Sequence, residues 1–346
     1  MTPARRAALL RSRVLLAAAA LACAVGLSAC GSKQDVITAP AAKPFTVMLD
    51  YFPNADHAAL YAAIAHGDFR AVGLDVRPQA PADPGEPLKQ LAAGKVDMAI
   101  SYEPELLLAR DAGLKLVAIA ALVQRPLTSV IALQGRHIGS VAALAGKRVG
   151  TVGLPYQAAE LRAALTQAGV DPATVREVNV GTGLVPAMLQ GRVDATLGGF
   201  WNYEAIQLRL LHRNPTVIPV DHAGIPTYNE LVLVVREGQA HTHGQDLRAF
   251  LQALTRGERE VRSDPAAAAS LLTAANPSLP ARLQLESIRQ TLPVATPAAS
   301  GDPFGWQDPR AWAAFGSWMF SKRLLTRNPG AGLPPFSNEF LPGQGI

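Results

Sequence analysis

One short pattern occurs twice in this chain and limits what it can fold into. Gly73-Leu74-Asp75 leads to Gly94-Lys95-Val96-Asp97, with 21 residues from glycine to glycine. Gly169-Val170-Asp171 leads to Gly191-Arg192-Val193-Asp194, with a glycine spacing of 22. Each copy follows the same preamble: a short strand (45–49; 147–150), a turn (Pro53 to Asp56; Gly153 to Tyr156), then a helix (57–69; 158–168). Matched order and spacing predict two α/β lobes of similar build. Strand and helix signals alternate through both, which predicts parallel α/β sheets.

Further strand runs are predicted at 74–76, 96–101, 116–121 and 129–133, and helices at 88–93 and 105–112. A β-forming run returns at 229–235, followed by helical patterns at 247–262, 265–274, 280–291 and 312–325. This order predicts two crossings between lobes, near 133–141 and 228–236, forming a hinge. Residues 44–134 plus 236–346 are then the first lobe, and 135–235 the second. The late helices complete the first lobe, and the Gly- and Pro-rich stretch 328–346 is expected to be irregular.

The N-terminus is a separate matter. Arg5, Arg6, Arg11 and Arg13 precede an apolar run at 14–27 and then Leu27-Ser28-Ala29-Cys30-Gly31. A basic start, a short apolar stretch and small residues before a cysteine form a secretory signal. The run is shorter than the ~20 residues a spanning helix needs. Residues 1–29 therefore read as a signal peptide and 30–43 as a polar tether. Small residues ending at a cysteine resemble a bacterial lipobox, which implies lipidation of Cys30 and a membrane anchor in the cell envelope. The full chain has 32 basic and 27 acidic residues. Four of the basic ones leave with the signal, so the mature chain is close to neutral. No basic surplus then argues for nucleic acid. Cys23 leaves too and Cys30 is spent on lipid, which removes disulfides, thiol catalysis and thiolate metal sites. No cofactor or metal is expected. His241-Thr242-His243 looks metal-like, but histidines two apart in a polar stretch more often face solvent.

The two matched strands run into loops of similar chemistry, Ser101-Tyr102-Glu103-Pro104 and Gly198-Gly199-Phe200-Trp201-Asn202-Tyr203-Glu204. Ligands of open α/β sheets bind beyond the carboxyl ends of the strands. Both loops are thus expected to line one cleft. Aromatic faces beside a carboxylate suit a flat, nitrogen-bearing heterocycle.

Four stretches carry a resemblance: Met48-Leu49-Asp50-Tyr51-Phe52-Pro53-Asn54-Ala55-Asp56-His57, Gly94 to Asp97, Gly150 to Tyr156, and Gly224-Ile225-Pro226-Thr227-Tyr228-Asn229-Glu230. They are similar to the NMT1/THI5-like family of thiamine-pyrimidine-precursor-binding proteins, the substrate-binding components of ABC importers. The resemblance implies a type II periplasmic-binding-protein fold and no enzymatic activity. The implied ligand is an aminomethylpyrimidine or its N-formyl derivative, and the implied partners are a permease and an ATPase, with the binding protein itself a monomer. It implies that Glu204 pairs with the pyrimidine amine and that Tyr51 and Tyr102 pack against the ring. The candidate ligand set is Asp50, Tyr51, Asn54, His57, Tyr102, Tyr156, Trp201, Asn202, Glu204, Tyr228 and Glu230.

Each candidate has a second reading. Asp50 and Asn54 fit turn-shaping and helix capping. His57 fits a structural role at a helix start, and Glu230 fits holding backbone beside the returning strand. Trp201 reads as a pocket residue, because two glycines precede it. The loop 200–203 departs from relatives, which leaves room for another ligand such as a sulfonate, nitrate or other aromatic. Eukaryotic relatives of this fold make the thiamine pyrimidine, using a lysine after the Val-Asp-Met strand and a cysteine-rich segment. Here those places read Ser101 and 223–229, without lysine or cysteine. A Schiff base needs a lysine amine.

Overall fold

A computed structural model of the chain describes residues 41–295, 297, 301–329 and 332–344. The expected signal peptide, Cys30 and all but the end of the expected tether lie outside these residues. The element order is β1 (Lys43–Met48), α1 (Ala58–Ala65), α2 (Asp68–Ala71), β2 (Leu74–Gln79), α3 (Pro87–Ala92), β3 (Met98–Ser101), α4 (Glu103–Asp111), β4 (Leu116–Val123) and β5 (Thr128–Leu133). It continues with β6 (Arg148–Thr151), α5 (Pro155–Gln167), β7 (Arg176–Asn179), α6 (Leu184–Leu189), β8 (Ala195–Phe200), α7 (Glu204–Leu210), β9 (Pro215–Pro219) and β10 (Leu231–Arg236). Five helices close it: α8 (Glu237–Thr242), α9 (Gly244–Ser263), α10 (Pro265–Ala275), α11 (Ala281–Ala295) and α12 (Pro309–Ser321).

The strands form two sheets of equal size, ordered β2-β1-β3-β10-β4 and β7-β6-β8-β5-β9. The repeat maps onto them directly. β1 pairs parallel with β2 and β3, and β6 pairs parallel with β7 and β8. The repeated aspartates do the same work in each lobe. Asp97 accepts the Thr46 N–H at 2.7 Å, and Asp194 accepts the Arg148 N–H at 2.9 Å, so each ties the turn before the third strand to the first strand.

Two expectations need correction. The sheets are mixed, because β10 runs antiparallel to β3 and β4, and β5 antiparallel to β8 and β9. The crossings also lie earlier than expected. β5 belongs to the second sheet and β10 to the first, so the chain changes lobe at 124–127 and again at 220–230. The physical reason is that both strands are buried along almost their whole length. An apolar run without alternation fits either sheet. Each enters its sheet from the opposite lobe and therefore runs against its neighbours.

The helix expected over 57–69 is broken. Gly67 adopts φ +76° and separates α1 from α2; a residue without Cβ takes that conformation at little cost. Two of the late helices pack on elements of the first sheet. Phe250 of α9 packs on Phe45 of β1 and Phe69 of α2, with ring centroids 5.3 Å and 4.9 Å apart. On the other face, Trp312, Phe315 and Met319 of α12 join Leu106 and Leu116 in a buried cluster.

Candidate functional site

Four strand ends meet between the sheets. After β1 come Asp50 and Tyr51; after β3, Tyr102; after β6, Val152 and the start of α5 with Tyr156 and Gln157; and at the end of β8, Phe200, Tyr203 and Glu204. These residues line one cleft of about 450 Å³, open mouth included, with Asn54, Pro84, Leu184 and Gly198. Six of the expected ligand residues thus stand together: Asp50, Tyr51, Asn54, Tyr102, Tyr156 and Glu204.

Asp50 is held from two sides. Tyr102 Oη donates to its Oδ2 at 2.8 Å, and His57 Nε2 lies 2.8 Å from its Oδ1. His57 Nδ1 accepts the Asn54 N–H at 3.1 Å, so the proton sits on Nε2 and points at Asp50. Asn54 in turn caps the 55–57 turn, its Oδ1 accepting the Asp56 N–H at 2.8 Å. This is a capping box with histidine in the glutamate position. His57 is buried behind Asp50 and orients it without lining the cleft.

Glu204 approaches from the second lobe. Its Oε2 accepts the Phe200 N–H at 2.7 Å. Burial pushes its carboxyl up to about 7, while that hydrogen bond pulls the other way. Aromatic rings close the space across the lobes: Tyr102 and Tyr156 lie 6.0 Å apart, and Phe52 and Tyr203 5.9 Å apart. Tyr51 Oη donates across the gap to the Thr182 carbonyl at 3.0 Å.

Four expected ligand residues stand elsewhere besides His57. Trp201 donates its indole N–H to the Pro126 carbonyl at 2.9 Å, at the first crossing. Asn202 is fully buried and bridges the lobes, donating to Asp56 Oδ1 at 2.7 Å and Thr291 Oγ1 at 2.6 Å. Tyr228 packs on Phe315, with centroids 4.7 Å apart. Glu230 staples the hinge: its carboxylate accepts the Leu127 N–H at 2.7 Å, the Thr128 N–H at 2.8 Å and the Thr128 hydroxyl at 2.9 Å. Sequence reasoning missed Gln157, Tyr203 and Asp56. Tyr203 stood in the loop that was singled out, and Asp56 in the turn; nothing in the local pattern marked Gln157.

The charge of the lining is one-sided. Its ionisable groups other than tyrosines are Asp50 and Glu204, and no lysine, arginine or histidine is among the lining residues. Such a site accepts hydrogen bonds from amines and repels anions.

A family model described as NMT1/THI5 like matches residues 54–268. The chain belongs to that family. Among relatives of this NMT1/THI5-like chain is the formylaminopyrimidine-binding protein of Halalkalibacterium halodurans, 34% identical over 280 residues, covering 79% of this chain and 83% of that one. A 4-amino-5-hydroxymethyl-2-methylpyrimidine phosphate synthase of Legionella pneumophila is 25% identical over 251 residues, covering 72% and 78%. Among solved structures, the alkanesulfonate-binding protein of Xanthomonas axonopodis pv. citri bound to MOPS superposes with a TM-score of 0.65 at 17% identity, covering 84% of this chain and 96% of that one. The fold is thus that of the type II periplasmic binding proteins. Family, fold and interlobe cleft together are those of a solute-binding protein.

Proposed function

We propose that this chain is the extracytoplasmic solute-binding component of an ABC importer and that it binds a thiamine pyrimidine precursor, an aminomethylpyrimidine or its N-formyl form. The observation that carries the ligand class is the pairing of Asp50 and Glu204 in an aromatic cleft whose lining holds no cation. A pyrimidine bearing amino groups presents a flat face to Tyr51, Tyr102 and Tyr156 and N–H donors to the carboxylates. The formylaminopyrimidine-binding relative supports the same reading. The sulfonate-binding structure shares the fold, but a sulfonate or nitrate needs donors or positive charge. Two carboxylates make this cleft a poor host for either.

An enzymatic role is disfavoured, although one relative is named as a synthase. Ser101 stands where the resemblance calls for a lysine, and it donates to Glu105 at 2.6 Å. The signal-like N-terminus supports export and lipidation at Cys30, and in this reading the protein delivers solute to a membrane permease as a monomer. Replacing Cys30 by serine should move the protein from the membrane to the soluble fraction of the envelope; retention in the membrane would remove the anchor from this account.

The ligand reading is tested by Glu204→Gln. The substitution keeps the shape, removes the charge and sets a donor against the ligand amine. A hydrogen bond to a charged group contributes about 1.5–3 kcal/mol, so aminopyrimidine affinity in a calorimetric titration should fall roughly 10- to 150-fold. An unchanged affinity would take Glu204 out of the site.

A further inference from the structure

Gln157 is the polar residue of this cleft that the family resemblance leaves without a role. It sits on the first turn of α5, is 2% exposed and lines the same cleft as Glu204. Its Oε1 accepts the Val152 N–H at 3.1 Å. A backbone N–H can only be met by the amide oxygen, so this contact fixes which end of the amide is which. The Nε2 donor then lies over Gly198. A Cβ built on that glycine would come within 2.4 Å of Nε2, and Gly198 itself has φ +104°. Glycine is required there both for the backbone and for the amide to lie flat against it. Nε2 donates to no described residue.

Glu204 keeps one carboxyl oxygen in reserve. Glu204 Oε2 takes the Phe200 N–H, and its Oε1 accepts no hydrogen bond from another described residue. A Cβ on the neighbouring Gly199 would meet Ile131 Cδ1 at 3.0 Å and would lie in ordinary contact with Glu204. Gly198 thus seats the Gln157 donor in the same cleft as the Glu204 acceptor. Asp50, by contrast, already receives both Tyr102 and His57.

We propose that Gln157 is a specificity-determining residue of this cleft: its oriented amide N–H donates to an acceptor on the ligand while Glu204 accepts from an exocyclic amine. The cleft then selects heterocycles in which an amine adjoins an unprotonated ring nitrogen, over aromatic amines that lack the ring nitrogen. This rests on the aminopyrimidine reading above and adds to it the edge that is read. Leaving a fixed donor unpaired against the wrong ligand is the stronger half of the discrimination.

The test compares two ligands in the mature protein by calorimetry: 4-amino-5-hydroxymethyl-2-methylpyrimidine and 2-aminobenzyl alcohol, which has a similar shape without ring nitrogens. Wild type should prefer the pyrimidine by about 10-fold or more. In Gln157→Met that preference should collapse to within about 3-fold, chiefly through loss of pyrimidine affinity. Gln157→Glu, which still accepts the Val152 N–H but offers no donor, should lose the preference as well; thermal melting reports whether each variant is folded. A preference that survives in a folded variant overturns the role of Gln157 while leaving the ligand class standing. Failure of wild type to bind the pyrimidine overturns both.

Discussion

Buried carboxyl groups dominate this molecule at the scale of single residues, and they divide by partner. Glu230 gives its oxygens to three donors of the crossing chain. Glu103, on α4, accepts the Asn229 N–H at 2.8 Å and the Asn229 side-chain amide at 2.6 Å. Both fasten the returning segment to its surroundings. Truncating Glu230 to alanine strands two backbone N–H groups and a hydroxyl in a dry site, at roughly 1–3 kcal/mol for each such group. Urea unfolding of Glu230→Ala should show a loss of about 3 kcal/mol or more. Glu230→Gln retains an acceptor for both N–H groups and can donate to Thr128, so it should lie close to wild type. Equal losses in the two variants would mean that charge, not hydrogen bonding, matters there. The two readings of Glu230 available from sequence, ligand or backbone, differ only in where its side chain points. An isolated glutamate before a strand carries no sign of that. Gln157 was illegible for the same reason, being one polar residue in a helical pattern whose partner is a backbone N–H five positions earlier.

Elements pack closely where the sequence supplies small residues. Gly257, within α9, lies against α1, and a Cβ there would fall 2.1 Å from the Ala59 carbonyl oxygen and 2.9 Å from Ala63 Cβ. The obstacle is backbone, which cannot swing aside as a side chain does. Overpacking of this kind costs about 1–3 kcal/mol where the neighbours yield, and Gly257→Ala should sit at or above the top of that range in chemical unfolding. A neutral result would contradict this close approach of α9 to α1. The same alanine-rich surface of α1 made its helical spacing easy to read, whereas the break at Gly67 was not. Other elements escaped sequence reading for opposite reasons. β7 is a polar edge strand, Arg-Glu-Val-Asn, with no apolar alternation, and β9 begins and ends in proline. β5 and β10 were legible as strands but not by lobe, since burial on both faces erases the pattern that would orient them. The repeat, in contrast, survives because its aspartates make the same backbone contact in both lobes.

For the whole molecule, the buried acids make stability depend on pH. Burial raises Glu103 to about 8 and Glu105, Glu204 and Glu230 to about 7, from an ordinary value of 4.5. Each holds its proton more tightly folded than unfolded, so each costs stability as pH rises from about 4.5 toward 7–8. Asp194 acts in the opposite sense: its hydrogen bond from Arg148 lowers it, and its stabilisation, present above its unfolded value, is lost as pH falls through the lower folded one. The ligand-free melting temperature should therefore peak near about pH 5 and decline toward about pH 8; a curve rising over that interval would contradict the burial of these acids. The lobes meet across the cleft through Tyr51 and Thr182 and beside it through Asn202, Asp56 and Thr291. Closure of two such lobes around a solute is the motion expected of this fold. What they close on is the central claim, and calorimetric titration of the mature protein tests it most directly. The aminomethylpyrimidine or its N-formyl form should bind saturably at one site per chain, with methanesulfonate and nitrate giving no heat. Saturable binding of the anions with none by the aminopyrimidines would contradict the account.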